Sequence, residues 1–201
     1  MNYTAALLLA LMLTVPALTA QDNSPRRDAE GSRSAAYERA RRKFDHITRN
    51  AQQSAPDQKP TQITMEELNA WVNEGGVTLP AGVEGVKFSS VPAVLTAQTR
   101  VDFDRLTGGK FSSNPLMFLF TGTHDVSVSS QASGAGGMGS VRVDRVEIDG
   151  VRVPRAALEY FVDNYLKPRY GENVGLDSQF RLPAKIDMAI LGENSVTLTQ
   201  K

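Results

Sequence analysis

VRVDRVEIDGVRVPRAALEYFVDNYL, residues 141–166, holds a strand, a reversal and a helix in one run. Val141 to Ile148 reads as a strand. Asp149-Gly150 is a strong signal for a tight turn, because both positions tolerate the left-handed backbone that such turns require. Val151-Arg152-Val153 returns briefly. Pro154 suits the first position of a helix, where its missing N–H costs nothing. Leu158, Phe161, Val162 and Tyr165 then fall at i, i+3, i+4 and i+7, a single apolar helix face. Pro168 is expected to stop that helix. Residues 169–180 read as irregular.

The segments on either side repeat the strand pattern. Leu95, Ala97, Thr99, Val101 and Phe103 point one way, and Thr96, Gln98, Arg100 and Asp102 the other, as in a half-solvated antiparallel strand. Val86 and Phe88 alternate with Lys87 and Ser89. Leu116 to Phe120 is apolar on both faces and is expected to enter a long strand in which Val126 and Val128 share a face. Ser129 to Ser140, SSQASGAGGMGS, reads as a flexible loop. Downstream, Ile186, Met188 and Ile190 alternate with Asp187 and Ala189. Gly192-Glu193-Asn194 then turns the chain into Val196-Thr197-Leu198-Thr199. Upstream, Thr64-Met65-Glu66-Glu67 is a capping box, and Gly75-Gly76 ends the short helix that it opens. Short and hairpin-like connections favour antiparallel pairing. The expectation is an α+β fold: a twisted, mainly antiparallel sheet with helices packed on one face, preceded by a signal peptide and a basic helical segment.

The first twenty residues have the layout of a secretory signal peptide. Ala5 to Leu18 is an apolar run too short to span a bilayer comfortably, and Ala17 to Ala20 offers small residues for cleavage before Gln21. Residues 21–33 are polar and expected to be disordered. In residues 34–50, Tyr37, Ala40, Phe44 and Ile47 form a thin helical stripe among Arg39, Arg41, Arg42, Lys43 and Arg49. That segment is either an amphipathic contact element for anionic lipid or a partner, or a charged helix resting weakly on the domain. Residues 51–60 read as a linker. The expected organisation is therefore a signal peptide at 1–20, a disordered and basic helical segment at 21–60, and the domain at 61–201.

Composition narrows the function classes. The chain of 201 residues has equal numbers of basic and acidic side chains, 22 each. A formal net charge of zero provides no global attraction to nucleic acid, and the aromatics are not interleaved with basic residues. There is no cysteine, which excludes disulfides, thiolate metal sites and a lipid-anchored cysteine. The two histidines lie in Asp45-His46 and His124-Asp125. Neighbours on a strand face opposite ways, so His124 and Asp125 cannot work as a pair through adjacency. Asp102 and Asp104, near Arg100 and Arg105, read as solvated surface. No Gly-x-Ser-x-Gly elbow or phosphate loop occurs. The expectation is no enzyme, no metal and no cofactor.

What remains is apolar surface. Leu116 to Phe120 has more apolar side chains than one sheet face requires. Either sheet and helix simply pack, or they leave a groove for an acyl chain. The candidate lining of that groove is Met117, Leu119, Leu158, Phe161, Val162 and Tyr165.

Val146-x-Ile148-x-Gly150-Val151-x-Val153-Pro154-x-x-x-Leu158, with Leu182-Pro183, Ile186 and a closing Gly192-x-x-x-Val196-x-Leu198, resembles bacterial envelope proteins of the LmeA and YpmS type. Ile63-Thr64-x-Glu66-Glu67-Leu68-Asn69 also resembles the start of such domains. Those proteins are distantly related to the tubular lipid-binding superfamily. The resemblance covers residues 61–199. It implies a long curved antiparallel sheet with a helix against its concave side, lipid or apolar-ligand binding in the envelope, and no transferable catalytic residues. The expected function is thus an exported, periplasmic or secreted, non-enzymatic protein binding a lipid or another apolar small molecule. The alternative is a structural or interaction protein of the envelope. It would contact a partner or an anionic membrane through Arg39, Arg41, Arg42 and Lys43 and the apolar sheet face.

Overall fold

The structure, a computed structural model, describes residues 33–109, 115–171 and 174–201. The expected signal peptide, residues 21–32 and the loop residues 110–114 lie outside the described residues. Helix α1, Ala35–Ala51, starts where the Ser34 hydroxyl accepts the Tyr37 amide. Strand β1, Thr61–Thr64, leads into α2, Met65–Asn73, through the expected capping box: Thr64 accepts the Glu67 amide, and the Glu67 carboxylate accepts the Thr64 amide. Strands β2, Val83–Val91, and β3, Val94–Asp102, form a hairpin. A short helix α3, Phe103–Thr107, follows, then a 3-10 turn, Pro115–Phe120. Long strands β4, Thr123–Ala135, and β5, Met138–Ile148, precede the brief β6, Val151–Arg152. Helix α4, Arg155–Phe161, continues through a π turn, Val162–Leu166, into α5, Lys167–Tyr170. Strands β7, Asp177–Arg181, β8, Ile186–Gly192, and β9, Ser195–Gln200, complete the chain.

The strands form one nine-stranded sheet in the order β1-β9-β8-β4-β3-β2, with β5 on β4 and both β6 and β7 on β5. Every pairing is antiparallel. Alternation assigns the faces. Val86, Phe88, Leu95, Ala97, Val101, Val126, Val146 and Ile148 are buried, while Lys87, Ser89, Gln98 and Arg100 between them are exposed. The helices therefore cover a single face, in two places. Over one end, α1 and α2 pack on β2, β3, β8 and β9. Over the other, the 3-10 turn and α4 pack on β3, β4 and β5. At about 1.5–3 kcal/mol for each fully buried large apolar side chain, these two clusters supply most of the drive to fold.

Helix α1 belongs to the first cluster instead of preceding the domain. It buries Ala36, Tyr37, Ala40, Phe44 and Ile47. Tyr37 stacks on Trp71 with ring centres 5.2 Å apart, and Phe44 meets the same indole at 5.0 Å. Glu67, with its side chain 3% exposed, receives Lys43 at 2.6 Å and Arg39 at 3.3 Å. A buried carboxylate is tolerated only with such partners, so the basic residues of α1 hold it to α2. At the far end, the buried Asn50 amide donates to Gln200, whose own amide donates to the Ile47 carbonyl.

Several local expectations are corrected. Leu116 to Phe120 is no strand. β3 ends at Asp102, opposite Thr123, so no partner strand remains, and the backbone closes on itself in 3-10 bonds. Phe103 opens α3 instead of extending β3, because Asp102 caps the helix by accepting the Arg105 amide. The Ser/Gly stretch 129–140 forms strands out to a two-residue turn at Gly136-Gly137, both left-handed, the geometry that matches strand twist. Its other glycines permit close contact: a Cβ on Gly139 would lie 2.7 Å from the Phe180 ring. Residues 177–181 of the expected irregular segment form β7, because β5 offers a free edge from Met138 to Arg142. Pro168 does not stop the helix. The π turn has already changed the bonding, with Lys167 N–H donating to Val162, and the helical path runs on to Tyr170.

Candidate functional site

The two clusters differ in how well they are filled. Beneath α1 and α2 lies a void of about 40 Å³, lined by residues including Phe44, Ile63 and Leu68. Beneath α4 and the π turn lies a hollow of about 220 Å³. Its floor is the inner face of β2 to β5, with Val101, Val126, Val128, Val143, Val146 and Ile148. Its roof is Leu158, Phe161, Val162 and Leu166. The loop before β2, with Leu79 and Pro80, and the segment Val174 to Leu176 close the flanks.

The π turn helps shape this roof. Val162 and Leu166, four residues apart, both line the hollow alongside Leu158. One wall is aromatic. Phe120 stacks on Phe161 at 4.3 Å, Phe161 stacks on Tyr165 at 5.4 Å, and Phe103 meets Phe120 and Phe161 edge-on. The remaining wall is valine and isoleucine. Among the described residues lining it, the one polar side chain is Thr99. Its hydroxyl donates to the Gly85 carbonyl at 2.5 Å. No lining side chain among them is charged.

The expected groove residues divide. Leu158, Phe161 and Val162 line the hollow. Leu119 and Tyr165 pack against the same cluster without lining it. The side chain of Met117 lies outside the described residues. The floor was missed in sequence. Val126 and Val128 were readable as one face of a strand, but which part of that face lies under a helix is a tertiary fact. Of the basic residues of α1, Arg39 and Lys43 engage Glu66 and Glu67, Arg41 engages Glu38, and Arg42 is exposed.

The polar groups beside the hollow are structural in geometry. His124 Nδ1 is 2.6 Å from Asp149 Oδ2, and Nε2 is 2.7 Å from the Thr121 carbonyl. Both ring nitrogens thus face acceptors, an arrangement that the doubly protonated ring satisfies best. The bond to Asp149 raises the His124 pKa above its ordinary value, against the opposing effect of lost solvation. The Asp149 carboxyl is correspondingly lowered by His124. This pair ties the start of β4 to the β5–β6 turn. His46 is exposed on α1. Among the described residues, no three His, Cys, Asp or Glu are grouped to hold a metal ion. None of their helices is long and apolar enough to cross a membrane.

The site therefore defines an α+β domain with an apolar hollow between sheet and helix, uncharged among the described residues that line it. Compared with known protein families, curated proteins and solved structures, the chain matches none of them.

Proposed function

We propose that this protein is an exported, non-enzymatic binder of a lipid or other apolar small molecule, held between the inner face of β3 to β5 and the roof helix. The observation that carries this reading is the contrast between the two clusters. Apolar side chains that face empty space lose the packing contacts a filled core would give them, so an apolar hollow of about 220 Å³ is a cost to the fold. Under the other end of the same sheet the void lined by Phe44, Ile63 and Leu68 is only about 40 Å³, so the fold is able to limit such a loss. An occupant removes the cost and stabilises the protein by mass action. The apolar run Ala5 to Leu18 supports export. The resemblance of residues 146–158 to envelope proteins of the LmeA and YpmS type supports the ligand class.

The alternative, a partner-binding role for the basic helix, has less support. The apolar face of α1 is already spent on α2 and the sheet, and Arg39 and Lys43 face Glu67. Native mass spectrometry of the protein purified under non-denaturing conditions, with solvent extraction of bound molecules, tests the main reading. A co-purifying apolar compound, or saturable binding of added apolar compounds, is expected. The absence of both would overturn it.

A further inference from the structure

We infer that the hollow takes one uncharged hydrocarbon segment of about eight to ten carbon atoms, held by shape and without a polar anchor. This deepens, and rests on, the apolar-ligand reading above. The first argument is size. An apolar cavity of about 150 Å³ holds a six-carbon ring. On that scale the hollow of about 220 Å³ accepts about nine carbons. A long acyl chain does not fit as a whole, and neither do two chains side by side.

The second argument is chemical. The described residues around the hollow include no charged side chain, and the Thr99 hydroxyl is engaged with Gly85. A carboxylate or ammonium drawn inside would lose its water and gain no partner, which is strongly unfavourable. The part of the guest that enters is therefore hydrocarbon. Its selectivity comes from length and thickness. The stacked Phe120 and Phe161 rings form one wall, and the β-branched side chains of Val126, Val128 and Val146 set the floor. These residues are stiff at χ1, so the floor does not yield easily to a longer chain.

The same hydrocarbon segment belongs either to a compact neutral molecule or to the tail of a charged amphiphile whose head stays outside. Calorimetric titration of the protein with the 1-alkanols from pentanol to dodecanol measures the length. Affinity should rise about fourfold for each added CH₂ up to about nine carbons, then level or fall. A steady fourfold gain through dodecanol would overturn the inference while leaving the apolar-ligand reading in place. No binding of any alkanol would remove both. Nonanoate at pH 8 separates the sources. Affinity equal to that of nonanol assigns the segment to an amphiphile's tail, and a tenfold or greater loss assigns it to a free neutral molecule. Val128→Phe should move the break about two carbons shorter, with a melting curve to establish that it folds. Val143→Phe serves the same purpose if the first variant does not fold. An unmoved break in a folded variant places the guest elsewhere and defeats the assignment.

Discussion

Asn69 and Phe88 exchange two hydrogen bonds: the Phe88 amide donates to Asn69 Oδ1 at 2.6 Å, and Asn69 Nδ2 donates to the Phe88 carbonyl at 3.0 Å. One helical turn on, Asn73 does the same for Val86, at 2.8 Å in both directions. Beyond them, the Asn194 amide donates to the Ser90 carbonyl. Strand β2 pairs on one side only, with β3. Two carboxamides at i and i+4 of α2 thus imitate a neighbouring strand along its free edge. An uncovered edge is a template for pairing with other chains.

Asn69→Ala is therefore expected to destabilise the protein by about 1–3 kcal/mol, the cost of leaving polar backbone groups without partners. Urea unfolding measures this. The double variant with Asn73→Ala should also self-associate, visible by light scattering after size exclusion. A stability change below about 0.5 kcal/mol and an unaltered scattering mass would show that water replaces the asparagines without loss.

Glu67 governs the acid limb of stability. Burial disfavours its charge, but the hydrogen bond from Lys43, the Thr64 amide and Arg39 together outweigh that and hold its pKa below the usual carboxylate value. A carboxyl lowered in the folded state contributes stability that is present above its unfolded pKa, about 4.3. That stability is lost as pH falls through the folded value. Glu67→Gln keeps the capping geometry and removes the charge. Its stability should fall by about 2 kcal/mol at pH 7, and the decline below pH 4.3 should flatten. Chemical denaturation from pH 3 to 7 provides the comparison with the unsubstituted protein.

His124 acts in the opposite sense. Its pKa is raised in the folded state, first by Asp149. Its contribution is therefore complete below the unfolded value of about 6.5 and is lost as pH rises through the folded one. Proton NMR should place the His124 titration above 6.5. Asp149→Asn, which tolerates the same left-handed turn position, should return the midpoint toward that value. An unshifted His124 midpoint in the starting protein would contradict the geometry.

Trp71, the chain's one tryptophan, reports the docking of α1, because its indole lies against Tyr37 and Phe44. Phe44 is buried, so Phe44→Ala should cost about 3–5 kcal/mol and shift the indole emission to the red. If α1 were a loose appendage, both quantities would stay nearly constant.

Local chemistry accounts for the features that were legible beforehand. The Thr64 capping box, the Asp149-Gly150 reversal and the alternation along Leu95 to Val101 each involve residues a few positions apart. Their backbone preferences act before anything distant arrives. The same locality misled where a distant contact prevailed. Ser129 to Ser140 has the composition of a loop, yet Gly136 and Gly137 serve a tight turn, and Phe180, Leu182 and Ala189 press against Gly134 and Gly139. The helical stripe of α1 looked too thin to bury, and it buries only because Trp71 and Glu67 of another helix complete it.

The candidate site divides along that line. Its roof, Leu158, Phe161 and Val162, was readable because helical periodicity lies within one segment. Its floor needed the register of four strands, in which Thr99 lies beside Val126, and Val126 beside Ile148. From its sequence alone, this chain was bound to form antiparallel hairpins and amphipathic helices, since turn preference and side-chain spacing act over a few residues. Only the tertiary structure settled which helix would fill its end of the sheet and which would leave a hollow. That difference depends on the shapes of side chains from distant segments meeting across the core, and no short stretch of sequence contains it.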